Sequence, residues 1–399
     1  GCPGDPITAT VLVNPTPVAI AIPASQTICS ESAITTIALS SATTGTTFAW
    51  TRNNTASVTG INASGNGDIS GTLTNTTSAP ITVTFTITPS ANGCPGDPIT
   101  ATVLVNPTPV ISNQTATICS GNTFSVTPAN NPPTTIVPAG TTYTWPAPSV
   151  AGITGTATGA NAANISGTLT NTTNAPINVA YTVTPTAGSC TGNTFTVTVT
   201  VNPMPAITNM TTSICSGGTF TVTPVSGTNG IVPAGTTYTW GIPSVTGSIT
   251  GGAAGSGSNI SGTLNNPTNT AQTAIYTVTP TSGSCIGATF TVTVTVNPRP
   301  AITNMIATIC SGGTFTVTPE NGTNGIVPVG TTYTWSNPLV NPNGAITGAI
   351  PQGTGQTSIS QTLTNITSVV ATVTYAVTPT AGICSGSTFT VVVTVNPMP

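Results

Sequence analysis

Residues 289–296 read Thr-Phe-Thr-Val-Thr-Val-Thr-Val, a strict alternation of polar and apolar side chains. Successive side chains of a β-strand point to opposite faces, so this pattern places Phe290 and the three valines on one face. The threonines occupy the other face, and β-branched residues fit a pleated sheet better than a helix. We therefore predict a strand with one face in a hydrophobic core and the other in solvent.

Similar segments recur along the chain with a fixed period. The four tryptophans of the 399-residue chain are each separated by 95 residues, at Trp50, Trp145, Trp240 and Trp335. Each tryptophan ends a Thr-x-[Phe/Tyr]-x-Trp segment. A unit of about 95 residues lies in the usual size range of a domain with its own core, so each repeat is predicted to fold by itself.

A Val-Asn-Pro sequence marks the end of each unit. We divide the chain into repeat 1 (17–108), repeat 2 (109–204), repeat 3 (205–299) and repeat 4 (300–399). Residues 1–18 are identical to residues 93–110. We therefore interpret residues 1–16 as the closing strand of a preceding, truncated repeat, and we expect further repeats of the same chain at both ends.

Repeat 3 contains several segments with strand character, separated by turn signals such as Ser-Gly-Gly. These segments are 206–214, 219–223, 236–240, 259–264, 274–279 and 289–296. Short strands at this spacing, with no segment of helical periodicity, indicate an all-β protein of tandem immunoglobulin-like sandwiches. The Asn-Pro-x-Pro linkers between repeats have fixed φ angles and no flexible Gly/Ser stretch, so we expect an elongated, semi-rigid rod.

The tryptophans are predicted to fill the centres of the sandwiches, because a large ring buries ~150–250 Å² and short strands need a dominant core residue. The alternative is an exposed platform on which a sugar ring stacks. In repeat 3 the alternation puts Trp240 on the same face as Tyr238, which favours the core for Trp50, Trp145, Trp240 and Trp335.

Charged residues make up only 2% of the chain, against about 25% in a typical soluble domain. They are Arg52 and Arg299 with Asp5, Glu31, Asp68, Asp97 and Glu320, and the chain has no Lys and no His. Two distant arginines cannot replace phosphate counterions, which excludes a nucleic-acid partner. So few titratable groups argue against an enzyme and against any catalytic residue, metal site or cofactor. No apolar run approaches the ~18 residues of a membrane helix.

Two smaller signals have simpler explanations than a binding site. Asp5 and Asp97 lie in equivalent Gly-Asp-Pro turns, but one carboxylate falls short of the six to eight oxygen ligands that calcium takes, so turn capping is preferred. Asn-x-Ser/Thr triplets at Asn75, Asn171 and Asn365 are expected by chance in a chain this rich in Asn and Thr.

Nine cysteines follow the repeats, two in each, with Cys2 in the N-terminal segment. The others are Cys29, Cys94, Cys119, Cys190, Cys215, Cys285, Cys310 and Cys384. Zinc binding is disfavoured because the chain has no Cys-x-x-Cys pair and no His. A fixed pair of cysteines in each domain indicates a disulfide framework, and hence an extracellular or periplasmic protein.

Two disulfide pairings are compatible with the spacing. The within-repeat set is Cys29 with Cys94, Cys119 with Cys190, Cys215 with Cys285 and Cys310 with Cys384, which leaves the partner of Cys2 outside the sequence. The between-repeat set is Cys29 with Cys190, Cys119 with Cys285 and Cys215 with Cys384. Ordinary immunoglobulin strand order puts the two cysteines of a repeat at opposite ends of a ~30 Å domain, which favours the second set. Bonds confined to one domain are commoner, so we expect the first set.

Four motifs of repeat 3 carry a family resemblance: Ile-Cys-Ser-Gly-Gly-Thr-Phe-Thr-Val-Thr-Pro (214–224), Gly-Thr-Thr-Tyr-Thr-Trp (235–240), Tyr-Thr-Val-Thr-Pro (276–280) and Thr-Val-Asn-Pro (295–298). Together they resemble the PKD-like/Ig-like repeats of giant bacterial surface proteins, and the resemblance covers the whole chain. Such arrays are typical of type IX-secreted adhesins of the Bacteroidota, including gliding adhesins. The resemblance implies adhesion, and no binding residue can be carried over to this sequence.

The function expected from these observations is the repeat shaft of an extracellular filamentous adhesin at the cell surface, for attachment or gliding motility. Its partners would be further repeats, neighbouring copies of the filament, and a surface or glycan bound through a tip outside this sequence. The first alternative is a self-assembling filament or sheath, in which residues 7–13 pair with neighbouring chains by strand addition. A carbohydrate-binding array is the second alternative.

Overall fold

The alternation of polar and apolar residues becomes β-strand in every repeat of the computed structural model, which describes residue 1 and residues 3–398. Within these described residues every regular element is a strand, in agreement with the all-β prediction. The chain divides into two compact units, residues 1–172 with 176–202 and residues 173–175 with 203–399. The first unit therefore contains the N-terminal segment and nearly all of repeats 1 and 2, and the second contains repeats 3 and 4 together with residues 173–175 and 203–204 of repeat 2.

The strands of repeat 1 form a large sheet, a small three-stranded sheet and a two-stranded sheet. They are β1 (Ile20–Ile22), β2 (Ser25–Cys29), β3 (Ser32–Ala33), β4 (Ala38–Ser40), β5 (Thr47–Arg52), β6 (Val58–Gly60), β7 (Ser64–Asn66), β8 (Thr72–Asn75), β9 (Ile81–Ala91), β10 (Cys94–Pro95) and β11 (Ile99–Asn106). The large sheet has the order β2-β11-β9-β5-β7, with β10 on β9, the small sheet has the order β3-β8-β6, and β1 pairs with β4.

Repeat 2 has the same arrangement. Its strands are β12 (Gln114–Cys119), β13 (Thr123–Val126), β14 (Thr142–Trp145), β15 (Ile153–Thr154), β16 (Gly159–Ala162), β17 (Ile165–Thr168), β18 (Thr170–Asn171), β19 (Ile177–Ala187), β20 (Cys190–Thr191) and β21 (Phe195–Asn202). The order β12-β21-β19-β14-β16 repeats that of the large sheet of repeat 1.

Repeat 3 adds a short edge strand to the large sheet. Its strands are β22 (Ala206–Ile207), β23 (Met210–Cys215), β24 (Gly218–Val222), β25 (Gly230–Ile231), β26 (Thr237–Trp240), β27 (Ser244–Val245), β28 (Gly255–Gly257), β29 (Ile260–Leu264), β30 (Gln272–Ser282), β31 (Cys285–Ile286) and β32 (Phe290–Asn297). The main path is β23-β32-β30-β26-β28, with β27 and β31 on β30.

Repeat 4 follows repeat 3 closely. Its strands are β33 (Ala301–Ile302), β34 (Met305–Cys310), β35 (Thr314–Val317), β36 (Gly325–Ile326), β37 (Thr332–Trp335), β38 (Leu339–Asn341), β39 (Ile346–Thr347), β40 (Gln352–Gln356), β41 (Ile359–Thr362), β42 (Thr364–Asn365), β43 (Ala371–Ala381), β44 (Cys384–Ser385) and β45 (Phe389–Asn396). The main path is β34-β45-β43-β37-β40.

The closing strand of each repeat lies inside the large sheet, as its alternation predicts. In β32, Phe290 and the three valines are at most 2% exposed and pack in the core of repeat 3. The intervening threonines are half-buried on the outer face. Each repeat has its own hydrophobic core.

An early strand of each repeat pairs in parallel with the closing strand, although sequential strands of a sandwich are usually antiparallel. In repeat 3 the register runs from Met210 opposite Val292 to Cys215 opposite Asn297. The single strand expected over 206–214 is therefore two strands, because β22 pairs with β25 and only β23 reaches the large sheet. Asn209 lies at the break, where its side-chain oxygen accepts a hydrogen bond from the Thr291 amide at 2.8 Å.

The N-terminal segment forms no strand over the described residues 3–19. The side chains of residues 7–13 are exposed, including Ile7 at 97% and Val11 at 85%. The identical sequence at 99–106 forms β11, where Ala101 and Val103 are fully buried. The same residues thus become a strand only where two neighbouring strands supply hydrogen bonds and a core.

No helix in the described part of the chain is long and apolar enough to cross a membrane.

Candidate functional site at the repeat junctions

Disulfides join neighbouring repeats within each compact unit. Cys29 of repeat 1 is bonded to Cys190 of repeat 2, and Cys215 of repeat 3 is bonded to Cys384 of repeat 4. The Cα atoms of the two pairs are 5.5 and 5.6 Å apart, within the usual range for a disulfide. The within-repeat pairing expected from the sequence is therefore corrected in favour of the between-repeat pairing.

The strand topology explains this pairing. Cys29 ends β2 and lies opposite Asn106, the last residue of β11, so it marks the end of repeat 1 from which the linker leaves. Cys190 follows the turn between β19 and β20, at the end of repeat 2 at which the linker arrives. The two cysteines of any one repeat lie at opposite ends of its large sheet, which places them too far apart to bond.

Some of the remaining cysteines form disulfides and others do not. Cys119 and Cys285 are also disulfide-bonded. Cys94 and Cys310 are not, although the sequence suggested bonds from Cys94 to Cys29 and from Cys310 to Cys384. In the between-repeat pattern, the equivalent partners of Cys94 and Cys310 would belong to a repeat before repeat 1 and a repeat after repeat 4. Cys2 lies outside the described residues.

A serine follows the first cysteine of each repeat and fixes the end of the large sheet. The amide of Ser30 donates to the carbonyl of Asn106 at 2.8 Å. The Asn75 amide donates to the Ser30 hydroxyl at 2.9 Å, and the Asn75 side-chain amide donates to the carbonyls of Ala79 and Val105. The strand end that carries the disulfide is thereby tied to the closing strand and to the opposite sheet.

This buried asparagine is a structural residue that the sequence reasoning missed. Its equivalents are Asn171, Asn266 and Asn365, each at most 6% exposed. Three of the four were interpreted as chance Asn-x-Ser/Thr triplets, whereas their side chains are buried and engaged in hydrogen bonds. The available signal was position, because each asparagine precedes the valine of its Val-Asn-Pro ending by 30 residues.

The linker between repeats 1 and 2 is held at both ends. The Thr108 hydroxyl donates to the Ser30 carbonyl at 3.2 Å, beside Cys29. Pro109 packs on Gly192 in the turn region after Cys190, where an added Cβ would overlap the Pro109 carbonyl oxygen. In the second unit, Pro300 and Gly386 make the same close approach. Only glycine fits against the linker, and the junction is therefore closely packed as well as covalently bonded.

Each of these junctions carries an open cleft in the same place. The cleft in the first unit, of about 390 Å³, is lined by Ser78, Ala79, Pro80, Asn106, Pro107, Pro138, Ala139, Ala187, Gly188 and Ser189. The cleft in the second unit, of about 400 Å³, is lined by Asn269, Thr270, Ala271, Asn297, Pro298, Pro328, Val329, Ala381, Gly382, Ile383 and Cys384. The lining side chains are small, uncharged or apolar, and none that lines either cleft could serve as a catalytic acid or base.

The tryptophans lie in or against the cores. Trp50, Trp145 and Trp335 are at most 8% exposed, and the indole N–H of each donates to a backbone carbonyl. Trp240 is half-buried and packs against the core of repeat 3. The low exposure of Trp50, Trp145 and Trp335 favours the core position over the sugar-stacking alternative for these three residues.

The tyrosines are buried beside the tryptophans. All six are at most 2% exposed, at Tyr143, Tyr181, Tyr238, Tyr276, Tyr333 and Tyr375. Burial raises the pKa of each phenol, because the phenolate would lose its hydration. The Tyr375 hydroxyl donates to the side-chain oxygen of Gln361 at 2.9 Å.

The charged side chains that have contacts make hydrogen bonds to backbone groups of loops and strand ends. The Arg52 guanidinium donates to the carbonyls of Ile61 at 2.7 Å and Val58 at 3.0 Å, and burial lowers the pKa of Arg52. A carboxylate oxygen of Asp68 accepts from the Leu39 amide at 2.8 Å. Among the described residues, no three His, Cys, Asp or Glu side chains come together as metal ligands.

Comparison with known proteins identifies the family. A model described as "PKD-like domain" matches residues 26–109, 116–205, 212–300 and 307–399. The insect immune protein hemolin is 13% identical, with 96% of this chain and 100% of that chain covered and a TM-score of 0.24. The human desmocollin-1 ectodomain is 11% identical, with 93% and 80% covered and a TM-score of 0.25. Likeness at this level carries no inference about function.

A search of curated proteins found no sequence relative of this chain. The four matches to the family model span most of the sequence and coincide with the four sandwiches. This chain belongs to the PKD-like domain family, of which it contains four tandem copies.

Proposed function

We propose that this chain is the structural shaft of an extracellular filamentous adhesin at the cell surface. The observation that carries the proposal is the disulfide pattern, because bonds between repeats limit how far the chain can extend under tension. Disulfides also persist mainly outside the reducing cytosol, which supports an extracellular setting.

The disulfides create a short covalent path through the chain. It crosses from Cys29 to Cys190, follows residues 190–215, and crosses from Cys215 to Cys384. Residues 30–189 and 216–383 lie outside this path. Fully extended, residues 190–215 span about 90 Å, whereas residues 29–384 without the bonds would reach roughly 1,200 Å. Residues 195–202 and 210–215 of this path are already extended strands.

Strand geometry inside each repeat supports the same function. The first strand of the large sheet and the closing strand are parallel, as in β34 and β45, and they share six residue pairs. Once the disulfides are reduced, tension between the two ends of a repeat pulls these strands in opposite directions and shears all their hydrogen bonds at once. A sheet loaded in shear resists more force than one whose bonds open one after another.

The finer parts of the proposal rest on the family resemblance. PKD-like arrays in type IX-secreted adhesins of the Bacteroidota suggest attachment or gliding motility, with a glycan or surface bound by a tip outside this sequence. The near absence of Lys and Arg leaves few sites for trypsin-like proteases, which suits a protein exposed outside the cell.

Single-molecule force spectroscopy on the chain, held by tags at its two termini, tests the proposal. Without reductant, we expect the distance between Cys29 and Cys384 to stay below about 90 Å until a covalent bond breaks. With reductant, we expect unfolding steps of roughly 300 Å, the extended length of a repeat. A variant with serine at Cys29, Cys190, Cys215 and Cys384 is the matched control, and it should show unfolding steps without reductant.

Repeat-sized steps in the oxidised wild-type chain would contradict the shaft function, since tension would then bypass the disulfides. A peptide map with the within-repeat bonds would contradict it as well.

The second candidate function is a self-assembling filament, favoured by the exposed residues 7–13. This segment repeats the sequence of β11, and its side chains include Ile7 and Val13, at 97% and 82% exposed. A strand of this kind can enter a sheet that offers parallel and antiparallel neighbours. This function predicts association in the presence of reductant, and loss of that association when residues 1–16 are removed.

A further inference from the structure

A cleft of about 510 Å³ opens on the side of repeat 1, between edge strand β7 of the large sheet and β8 of the small sheet. Its volume lies in the range of pockets that hold small molecules. Trp50, which lines the cleft, lies opposite Ile87 near the middle of β9. The cleft is therefore remote from the two ends of the repeat at which linkers join, and its exposure is a property of repeat 1 itself.

Three polar side chains that line the cleft are exposed and have free hydrogen-bonding groups. They belong to Asn62, Asn66 and Asp68. One carboxylate oxygen of Asp68 accepts a hydrogen bond from the Leu39 amide at 2.8 Å, and the other oxygen has no partner among the described residues. The two asparagine side chains also lack a hydrogen-bond partner in the part of the chain that the structure describes. The cleft thus offers free carboxylate and amide groups in a chain that has only five acidic residues.

The side chain of Arg52 holds the loop that carries Asn62. Its Nε–H donates to the carbonyls of Ile61 at 2.7 Å and Asn62 at 3.2 Å, and a terminal nitrogen donates to the Val58 carbonyl at 3.0 Å. Ile61 and Asn62 both line the cleft, so these hydrogen bonds fix one of its walls.

The turn that carries Asn66 and Asp68 is held by other hydrogen bonds. The amide of Gly67, which lies between these two residues, donates to the Phe48 carbonyl at 2.9 Å. The Gly67 carbonyl accepts a hydrogen bond from the indole N–H of Trp50 at 3.1 Å. Both walls of the cleft are therefore fixed by the fold, and a site fixed in advance spends little binding free energy on ordering its own groups.

Repeats 2 and 4 bond the corresponding loop to the tryptophan instead. The indole N–H of Trp145 donates to the Ala157 carbonyl at 3.1 Å, and that of Trp335 donates to the Ile350 carbonyl at 3.0 Å. Ala157 and Ile350 occupy the place of Asn62, because each comes two residues after a glycine of positive φ that packs on the carbonyl of an equivalent threonine. These glycines are Gly60, Gly155 and Gly348.

Arg52 accounts for the difference between the repeats. The residue two positions after the tryptophan is Arg52 in repeat 1, and it is Ala147, Ile242 and Asn337 in repeats 2, 3 and 4. Only in repeat 1 does a guanidinium at this position bind the loop carbonyls, and there the indole N–H bonds to the turn at Gly67. The open cleft is therefore built by a residue that the other repeats lack.

From these observations we propose that the side cleft of repeat 1 binds a neutral carbohydrate. The free oxygen of Asp68 accepts hydrogen bonds from sugar hydroxyls, and the side-chain amides of Asn62 and Asn66 both donate to and accept from such hydroxyls. Ile61 and Trp50 supply apolar atoms for the C–H groups of the sugar ring. This inference goes beyond the proposed shaft function, because it gives one repeat of the shaft a ligand of its own.

Charged ligands fit the cleft less well. A phosphate or an acidic sugar would meet the carboxylate of Asp68, and the guanidinium of Arg52 is already bonded to backbone carbonyls. A calcium ion takes about six to eight oxygen ligands, and a single carboxylate balances only part of its charge. Sugar hydroxyls match the cleft because each can donate to the carboxylate and accept from an amide N–H.

Saturation-transfer NMR on the full chain tests the proposal, with the methyl glycosides of glucose, mannose, galactose and N-acetylglucosamine as probes. Mannose and galactose differ from glucose in the configuration of one hydroxyl each, so the probes sample several hydroxyl arrangements. We expect saturation transfer to the ring protons of at least one probe, with a Kd on the order of 1 mM. Asp68→Ala, and the double variant Asn62→Ala with Asn66→Ala, should each weaken binding about tenfold, because each removes hydrogen bonds to the sugar.

The double asparagine variant also separates binding from folding. Asp68→Ala removes the acceptor of the Leu39 amide, whereas the two asparagine side chains are exposed and their loss should leave the fold intact. Asn259→Ala is the matched control. Asn259 occupies the place of Asp68 in repeat 3, directly before the same Ile-Ser-Gly-Thr-Leu sequence, and its replacement should leave binding unchanged.

Three outcomes would overturn the inference. They are the absence of saturation transfer to every probe, wild-type affinity in either cleft variant, and calcium binding to the chain that Asp68→Ala abolishes. None of these outcomes would alter the extension limit expected for the shaft, so the two proposals fail separately.

Discussion

Repeats 1 and 4 share a strand topology but have different side chains in their hydrophobic cores. The core of repeat 4 contains three aromatic contacts, Phe315 with Tyr375, Trp335 with Tyr375 and Tyr333 with Phe389, with ring centroids 5.3 to 6.3 Å apart. Repeat 1 has a single contact of this kind, Trp50 with Phe85 at 5.6 Å. It contains no tyrosine, and it has Phe48 in place of Tyr333, Ile34 in place of Phe315 and Ile99 in place of Phe389.

The comparison separates what the fold requires from what adds stability. Both repeats keep the alternating strands, the buried tryptophan and the Ser–Asn hydrogen bonds, so these features are sufficient for the sandwich. The additional rings of repeat 4 bury more area, and aromatic pairs contribute ~0.5–1.5 kcal/mol beyond that area. We infer that repeat 1 is the less stable of the two.

The largest effect is expected from removing the central ring. Phe85→Ala in repeat 1 and Tyr375→Ala in repeat 4 should each lower the local free energy of unfolding by about 3–5 kcal/mol. Because repeat 1 starts from a lower stability, Phe85→Ala should leave β11 unprotected while β45 keeps its protection in Tyr375→Ala. Hydrogen exchange followed by mass spectrometry measures both strands, and equal residual protection would contradict the inferred difference.

Alkaline pH should lower the stability of repeat 4 and leave that of repeat 1 unchanged. The pKa of Tyr333 and that of Tyr375 are raised by burial, so above about pH 10 the unfolded state loses protons that the folded state keeps. The stabilisation from these phenols is complete below pH 10 and is lost as the pH rises, by at most ~1.4 kcal/mol per pH unit for each tyrosine. Hydrogen exchange corrected for pH should follow this loss.

The control for the alkaline experiment is a double variant, Tyr333→Phe with Tyr375→Phe. It should give repeat 4 the flat alkaline response expected of repeat 1. Equal alkaline loss in repeat 1, which has no tyrosine, would mean that another group or the disulfides account for the effect.

The smallest effect on stability is expected from replacing Arg52, whose hydrogen bonds to backbone carbonyls have no equivalent in repeat 4. Arg52→Gln removes the donors that reach the Ile61 and Val58 carbonyls, and should cost repeat 1 about 1–2 kcal/mol. Arg299→Gln is the matched control, since Arg299 is exposed and its loss should change stability by less than about 0.5 kcal/mol. Thermal unfolding of both variants provides the measurement. An equal effect at the two arginines would show that charge and not loop anchoring is responsible.

The fold could be predicted from the sequence because the patterns that indicate it are local. The alternation in 290–296 depends only on the pleat of a strand, and the spacing of the tryptophans depends only on the repeat length. The break at Asn209 was missed, because the strand pattern continues through it while the chain moves from one sheet to the other. The role of Asn75 was missed for a related reason, since its partners are the carbonyls of a loop and of the closing strand.

The sequence by itself determined that the protein is an array of β-sandwiches and that its cysteines recur once at each of two places in a repeat. It could not choose between bonds within and between repeats, because a period relates each residue equally to its own repeat and to the next one. The tertiary structure made that choice. The strand order puts Cys29 at the end of repeat 1 that meets repeat 2, where the Cα atom of Cys190 lies 5.5 Å from that of Cys29 and the bond forms.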